Sequence, residues 1–220
     1  MQTDSSVFIA GGTGYIGVPL IRALVQRKYN VRALVRKGSE HKLPPGCKAV
    51  PGNALETSSY AGQIAPSRTF VQLVGVSHPS PTKAAEFHSI DKVAGLGAIE
   101  AAKQAGVRHF VYLSVAHPAP MMHNYIAVRT ECESALLATC MNVTIVRPWY
   151  VLGPGHRWPY VLLPMYWICE RIPSTREGAK RLGLVTLDQM VRTLVSAVEN
   201  PSDGARFIDV PQIRAGSVLT

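Results

Sequence analysis

Glycine recurs at positions 11, 14 and 17 in the run Gly11-Gly12-Thr13-Gly14-Tyr15-Ile16-Gly17, directly after the apolar residues 7–10 and at the start of a helical pattern. Glycine at such points lets a backbone turn tightly and approach a pyrophosphate, whose charge is met by amide N–H groups and the positive end of the helix. A side chain at Gly14 would stand in the way. Gly11, Thr13, Gly14, Tyr15, Ile16 and Gly17 are thus candidate contacts to a dinucleotide, against the alternative of a tight turn that binds nothing. Residues 31–35 read as the next strand and lead into Arg36-Lys37, where a free ribose 2′-hydroxyl is ordinarily met by Asp or Glu. No acid stands there. Arg36 offers a planar guanidinium that pairs with a 2′-phosphate or stacks on adenine, which favours NADP over NAD as the cofactor.

Such groups have to be carried by regular elements. Apolar runs at 7–10, 31–35, 48–50, 70–76, 109–114, 143–146 and 207–210 read as strands. Helical patterns over 15–28, 84–105, 125–139 and 188–199 alternate with them. That order predicts an α/β fold, a doubly wound parallel sheet covered by helices on both faces in three layers. Within 84–105, Ile90, Val93, Ala94, Gly97, Ala98, Ala101 and Ala102 are expected on or near one face, with Gly106 as the stop. Asp188 is the expected N-cap of the last helix.

The chain has 220 residues, 47% of them hydrophobic, enough for one sizeable core. No repeat or polar linker divides it. A single domain over 1–220 is expected, with 148–185 as an insertion that contacts substrate or partner. Formal charge is +9, and seven basic residues between Arg27 and Lys48 face only Glu40 as an acid, which points to a local anion site. No helix carries the basic stripe of a base reader, so no nucleic-acid partner is expected. The four cysteines form no C-x-x-C pair and no histidines cluster near them, so packed thiols and no metal are expected. Residues 1–6 lack the pattern of a secretory signal, and Pro159 and Pro164 break the longest apolar run short of the roughly 20 residues of a membrane span. A cytoplasmic location is expected.

Trp149, Tyr150, Trp158, Tyr160, Tyr166 and Trp167 crowd one short stretch, bracketed by Arg157 and Arg171. Buried, this tract is a core helix or the wall of an apolar pocket. Exposed, it is a protein contact or a membrane-surface patch through 158–169.

The glycine run, Val35-Arg36, the segment from Ala105 to Ser114, and Arg147-Pro148 with Gly153-Pro154-Gly155 together resemble an extended or atypical short-chain dehydrogenase/reductase. This superfamily of NAD(P)-binding Rossmann proteins includes the NAD-dependent epimerase/dehydratase and NmrA-like groups. The resemblance covers most of 6–210, and the short C-terminal region fits the atypical branch. It implies a catalytic Tyr followed four residues later by Lys, with a hydroxyl residue at the end of the fifth strand. Tyr125 and Arg129 stand at the Tyr and Lys positions, and Ser114 at the hydroxyl position. Arginine in place of lysine can still lower a tyrosine's pKa and bond a ribose, but it cannot relay a proton. The place after Ser114, which carries a second hydroxyl in many relatives, is Val115. Asn53 resembles the acid that accepts from the adenine amino group, Val74 is expected against adenine and ribose, and Pro148 beside the nicotinamide.

Two functions follow. One is an NADP-dependent oxidoreductase or epimerase acting on a carbonyl or secondary alcohol of a small apolar substrate. The other is an NADP(H)-binding regulatory or accessory protein that uses its aromatic tract to hold a partner.

Overall fold

The computed structural model describes residues 5–155 and 161–216. Nine strands occur among them, β1 (Ser6–Ala10), β2 (Asn30–Val35), β3 (Lys48–Pro51), β4 (Thr69–Gln72), β5 (His109–Leu113), β6 (Asn142–Arg147), β7 (Tyr150–Leu152), β8 (Leu184–Thr186) and β9 (Ala205–Asp209). Seven form one sheet in the order β3-β2-β1-β4-β5-β6-β9, every pair parallel. β7 and β8 pair with each other beyond it.

Alternation along the strands sends side chains to two cores. Val7 and Ile9 of β1 meet Leu20, Ile21 and Leu24 of α1 (Gly17–Gln26), and α7 (Leu187–Glu199) and α8 (Val210–Ala215) complete that layer. Phe8 and Ala10 face the opposite layer, made by α3 (Val93–Gln104) and α4 (His123–Leu137). There the register sets Phe8, Phe70 and Phe110 side by side on three neighbouring strands, with ring centroids 5.2 and 5.0 Å apart. The chain reverses its winding between β1 and β4, which opens a crevice at the carboxyl ends of those strands.

Several elements depart from the sequence pattern. The fourth strand ends at Gln72, and residues 73–76 leave the sheet to wall the crevice. The single helix expected over 84–105 is a short α2 (Ala84–Glu86), a π-helical segment (Phe87–Lys92) and then α3. A π segment rotates the side chains that follow, so Val93 is 44% exposed while Ala94, Ala98, Ala101 and Ala102 are buried. Thr186, not Asp188, caps α7 in a capping box with Gln189, because its extended backbone sits just ahead of the first turn. The last strand spans Ala205–Asp209, and Val210 begins α8. The stretch after Pro148 contains β7, α5 (Leu163–Cys169), α6 (Arg176–Arg181) and the start of β8. Among the described residues no helix is long and apolar enough to cross a membrane.

His109, 2% exposed at the start of β5, shares a 2.9 Å hydrogen bond with Thr144 through Nε2. Burial, with the charge of Arg206 nearby, pulls its pKa down to about 4. The unfolded chain binds this proton more readily, so stability falls as pH drops from about 6.5 to about 4 and is level below. The loss amounts to about 3 kcal/mol at most. Urea unfolding across that range is expected to show the slope in the wild type and its flattening in His109→Gln.

Candidate active site

Gly11 ends β1 with a φ of 85°, a conformation that costs glycine nothing. A Cβ there would lie 2.9 Å from the Leu73 carbonyl carbon, so the exit of β4 passes hard against the turn. At Gly17, where α1 starts, a Cβ would lie 2.3 Å from the Gly11 carbonyl oxygen. Only glycine lets the helix begin so close behind the strand. No side chain caps α1 and no acid stands in its first turn, so its amide end suits an anion such as a diphosphate.

Two hollows share Gly11, Gly14, Gly75 and Val76 in their walls. One, about 490 Å³, reaches the ends of β2 and β3 and takes in Thr13, Arg36, Asn53 and Val74. The other, about 370 Å³, takes in Tyr15, Ile16, Gly17, Ser114, Tyr125 and Pro148. Every residue expected at the site therefore lines one or the other, except Arg129. Arg36 is exposed, and no acidic side chain replaces it at the end of β2. Asn53 Oδ1 already accepts from the Leu55 amide at 3.1 Å, which leaves it one lone pair for an adenine amino group.

Arg129 turns away from the hollows into the protein. It is 4% exposed, and its Nη2 meets Asp91 Oδ1 at 2.5 Å while Nη1 donates to the Leu113 carbonyl at 2.8 Å. Asp91 comes from the π-helical segment, and its Oδ2 accepts from the Val76 amide at 3.0 Å. Room for the guanidinium exists because position 75 is glycine, where a Cβ would lie 2.2 Å from Nη2. The guanidinium carbon lies 5.1 Å from the centre of the Tyr125 ring, a cation–π contact. Burial pushes the Tyr125 phenol above its ordinary pKa, and the Arg129 charge pulls the other way. The phenol therefore keeps its proton at neutral pH.

Ser114 ends β5 and its Oγ donates to Glu133 Oε1 of α4. Glu133, 3% exposed, also accepts from Arg147 Nε at 3.0 Å and from Arg147 Nη2. With its hydrogen given to a carboxylate, Ser114 offers lone pairs only, so in this arrangement it can receive a hydroxyl but cannot donate to a carbonyl. Val115 puts a hydrocarbon where the second hydroxyl would be.

The aromatic tract divides. Trp149 and Tyr150 line the second hollow, and the Trp149 side chain lies beside the Tyr166 phenol of α5. Met165, Trp167 and Ile168 face outward, with Trp167 60% exposed under the Arg171 guanidinium at 3.3 Å. α5 is thus no core helix, since Met165, Trp167 and Ile168 are each half exposed or more. Arg157, Trp158 and Tyr160 lie outside the described residues.

Sequence reading missed Asp91 and Glu133. Each is an acid within a helical pattern, and neither position names its partner.

The family model described as NAD(P)H-binding matches residues 11–159, which span both hollows. The chain belongs to that family. A ceramide reductase from Caulobacter vibrioides is 27% identical, covering 97% of this chain and 67% of that protein. A 3-diazoavenalumate denitrifying reductase from a Streptomyces species is 25% identical, covering 92% and 75%. Among solved structures, the Bordetella bronchiseptica enzyme WbmH in complex with NAD+ superposes with a TM-score of 0.70 at 22% identity, covering 93% of this chain and 75% of that one. This member of the NAD(P)H-binding family has a Rossmann fold and is an NAD(P)-dependent oxidoreductase of the short-chain dehydrogenase/reductase kind.

Gly17→Ala is expected to weaken nucleotide binding at least tenfold by calorimetry, because the new methyl group must displace the turn. Gly178→Ala, with open space around it, is the control expected to bind as the wild type does.

Proposed function

We propose that this protein reduces a carbonyl group on an apolar substrate, with NADPH as hydride source and Tyr125 as proton donor. The observation that carries this reading is the single hollow in which the Tyr125 side chain joins the glycine turn, Pro148 and an apolar wall of Val115, Trp149 and Val151. The nicotinamide supplies the hydride to the carbonyl carbon when bound. The glycine turn holds the diphosphate through its amides, and Arg36 pairs with the 2′-phosphate.

Tyr125 hands its proton to the carbonyl oxygen as the new C–H bond forms. Its raised pKa keeps that proton available at neutral pH, while the cation below the ring eases the phenolate that results. Ser114 then accepts a hydrogen bond from the product hydroxyl, the one role its bond to Glu133 leaves open. Aromatic and aliphatic walls exclude water from the reacting atoms. A relative named for ceramide, together with the apolar wall and the exposed face of α5 beside it, supports an amphiphilic substrate or a partner with an apolar surface.

Calorimetry is expected to find NADPH bound at least tenfold more tightly than NADH, with the preference lost in Arg36→Leu. Equal affinity in the wild type would overturn the choice of NADPH. With NADPH and a panel of long-chain ketones and aldehydes, Tyr125→Phe is expected to lose roughly a hundredfold or more in turnover while still binding nucleotide. Unchanged turnover would remove Tyr125 from the reaction.

A further inference from the structure

We infer that Asp91 is a positioning residue for Tyr125. From its π-helical turn it anchors the Arg129 guanidinium under the tyrosine ring and ties the same ion pair to the Val76 amide in the cleft wall. The charge under which the tyrosine gives up its proton is thus set by a fixed pair and not by a lone cation. This rests on the reading of Tyr125 as the proton donor.

The geometry leaves Asp91 no other office. Its side chain is fully buried, one oxygen on Arg129 and the other on Val76. Val76 lines both hollows, so the carboxylate holds a residue of the cleft wall as well as the cation. The π-helical segment brings the acid there. An unbroken α-helix would carry residue 91 round by a different angle, and such bulges recur at functional sites. Arg129, for its part, reaches β5 through the Leu113 carbonyl and the Tyr112 hydroxyl. The pair therefore joins α4, β5, the π turn and the exit of β4 around a single phenol.

Among the described residues, Tyr15, His78 and Tyr150 line the same hollow as Tyr125, and three further groups bear on it from inside the protein. They are Arg129 on its own helix, Asp91 from the π turn, and Tyr112 from β5 through Arg129. Phe87, with its ring centroid 4.8 Å from that of Tyr125, and Val76 complete the contact with hydrocarbon. Lys83 is spent on the Ser77 carbonyl and lies 4.0 Å from Glu86. Arg129 favours the phenolate and Asp91 opposes it, so removing one charge or both moves the phenol in opposite directions.

The test is a pH titration of Tyr125 by carbon NMR in protein carrying labelled tyrosine, with the resonance assigned by its loss in Tyr125→Phe. Asp91→Asn removes the balancing charge and is expected to move the phenol's titration to lower pH, and with it the alkaline limb of any carbonyl-reduction profile. Leaving a buried arginine unpaired threatens folding, so a second variant, Asp91→Asn with Arg129→Gln, removes both charges and is expected to titrate above the wild type. A merely structural pair would leave the resonance where it is in every folded variant, and that result overturns the inference. If the titration shifts as expected while Tyr125→Phe still turns over substrate, the inference about charge stands and the proton-donor role fails.

Discussion

One buried ion pair sits where four parts of this protein converge. Arg129 and Asp91 join the helix that carries Tyr125, the end of the strand that carries Ser114, the π-helical turn and the loop that walls both hollows. A charge taken out of water is costly unless it is paired and its remaining donors and acceptors are used. Here both carboxylate oxygens and both terminal nitrogens of the guanidinium find partners, while the buried Arg129 Nε has none among the described residues. Breaking such a pair typically costs about 3–5 kcal/mol, so its geometry is strongly held. That stiffness is what lets a tyrosine on one element keep a fixed distance from a turn on another.

A comparable arrangement holds the other side of the cleft. Glu133, one helical turn beyond Arg129, takes hydrogen bonds from Ser114 at the end of β5 and from Arg147 at the end of β6. Two carboxylates, both inside the protein, thus fix the hydroxyl and phenol that face the hollow. The chemistry left to each differs for that reason. Ser114 has its hydrogen engaged, whereas Tyr125 keeps its own and has a cation beneath its ring.

The glycine turn was legible from residue types, because its geometry depends on backbone. Gly11 and Gly17 are required by positive φ and by contacts closer than any Cβ tolerates. Such demands leave a mark in the sequence at fixed spacing. The place of Arg36 in the wall of the first hollow was legible for a related reason, since the end of β2 follows the glycine turn by a set number of residues. Arg129 was legible as a position but not as an orientation. Its spacing from Tyr125 placed both on one helix, yet the guanidinium points into the core because Asp91 awaits it and Gly75 leaves room.

The amino-acid sequence by itself determined the alternation of strands and helices up to Pro148, the glycine turn and the basic end of the second strand. These are local properties, fixed by periodicity, backbone freedom and residue type within a few positions. Only the tertiary structure decided that β4 stops at Gln72, that the helix after it contains a π turn, and that α5 turns Trp167 outward. The exit of β4 passes against Gly11 and the π turn faces Arg129, each far away in the chain. The carboxylate that meets Arg129 is 38 residues distant, and no periodicity within either segment encodes a contact between them.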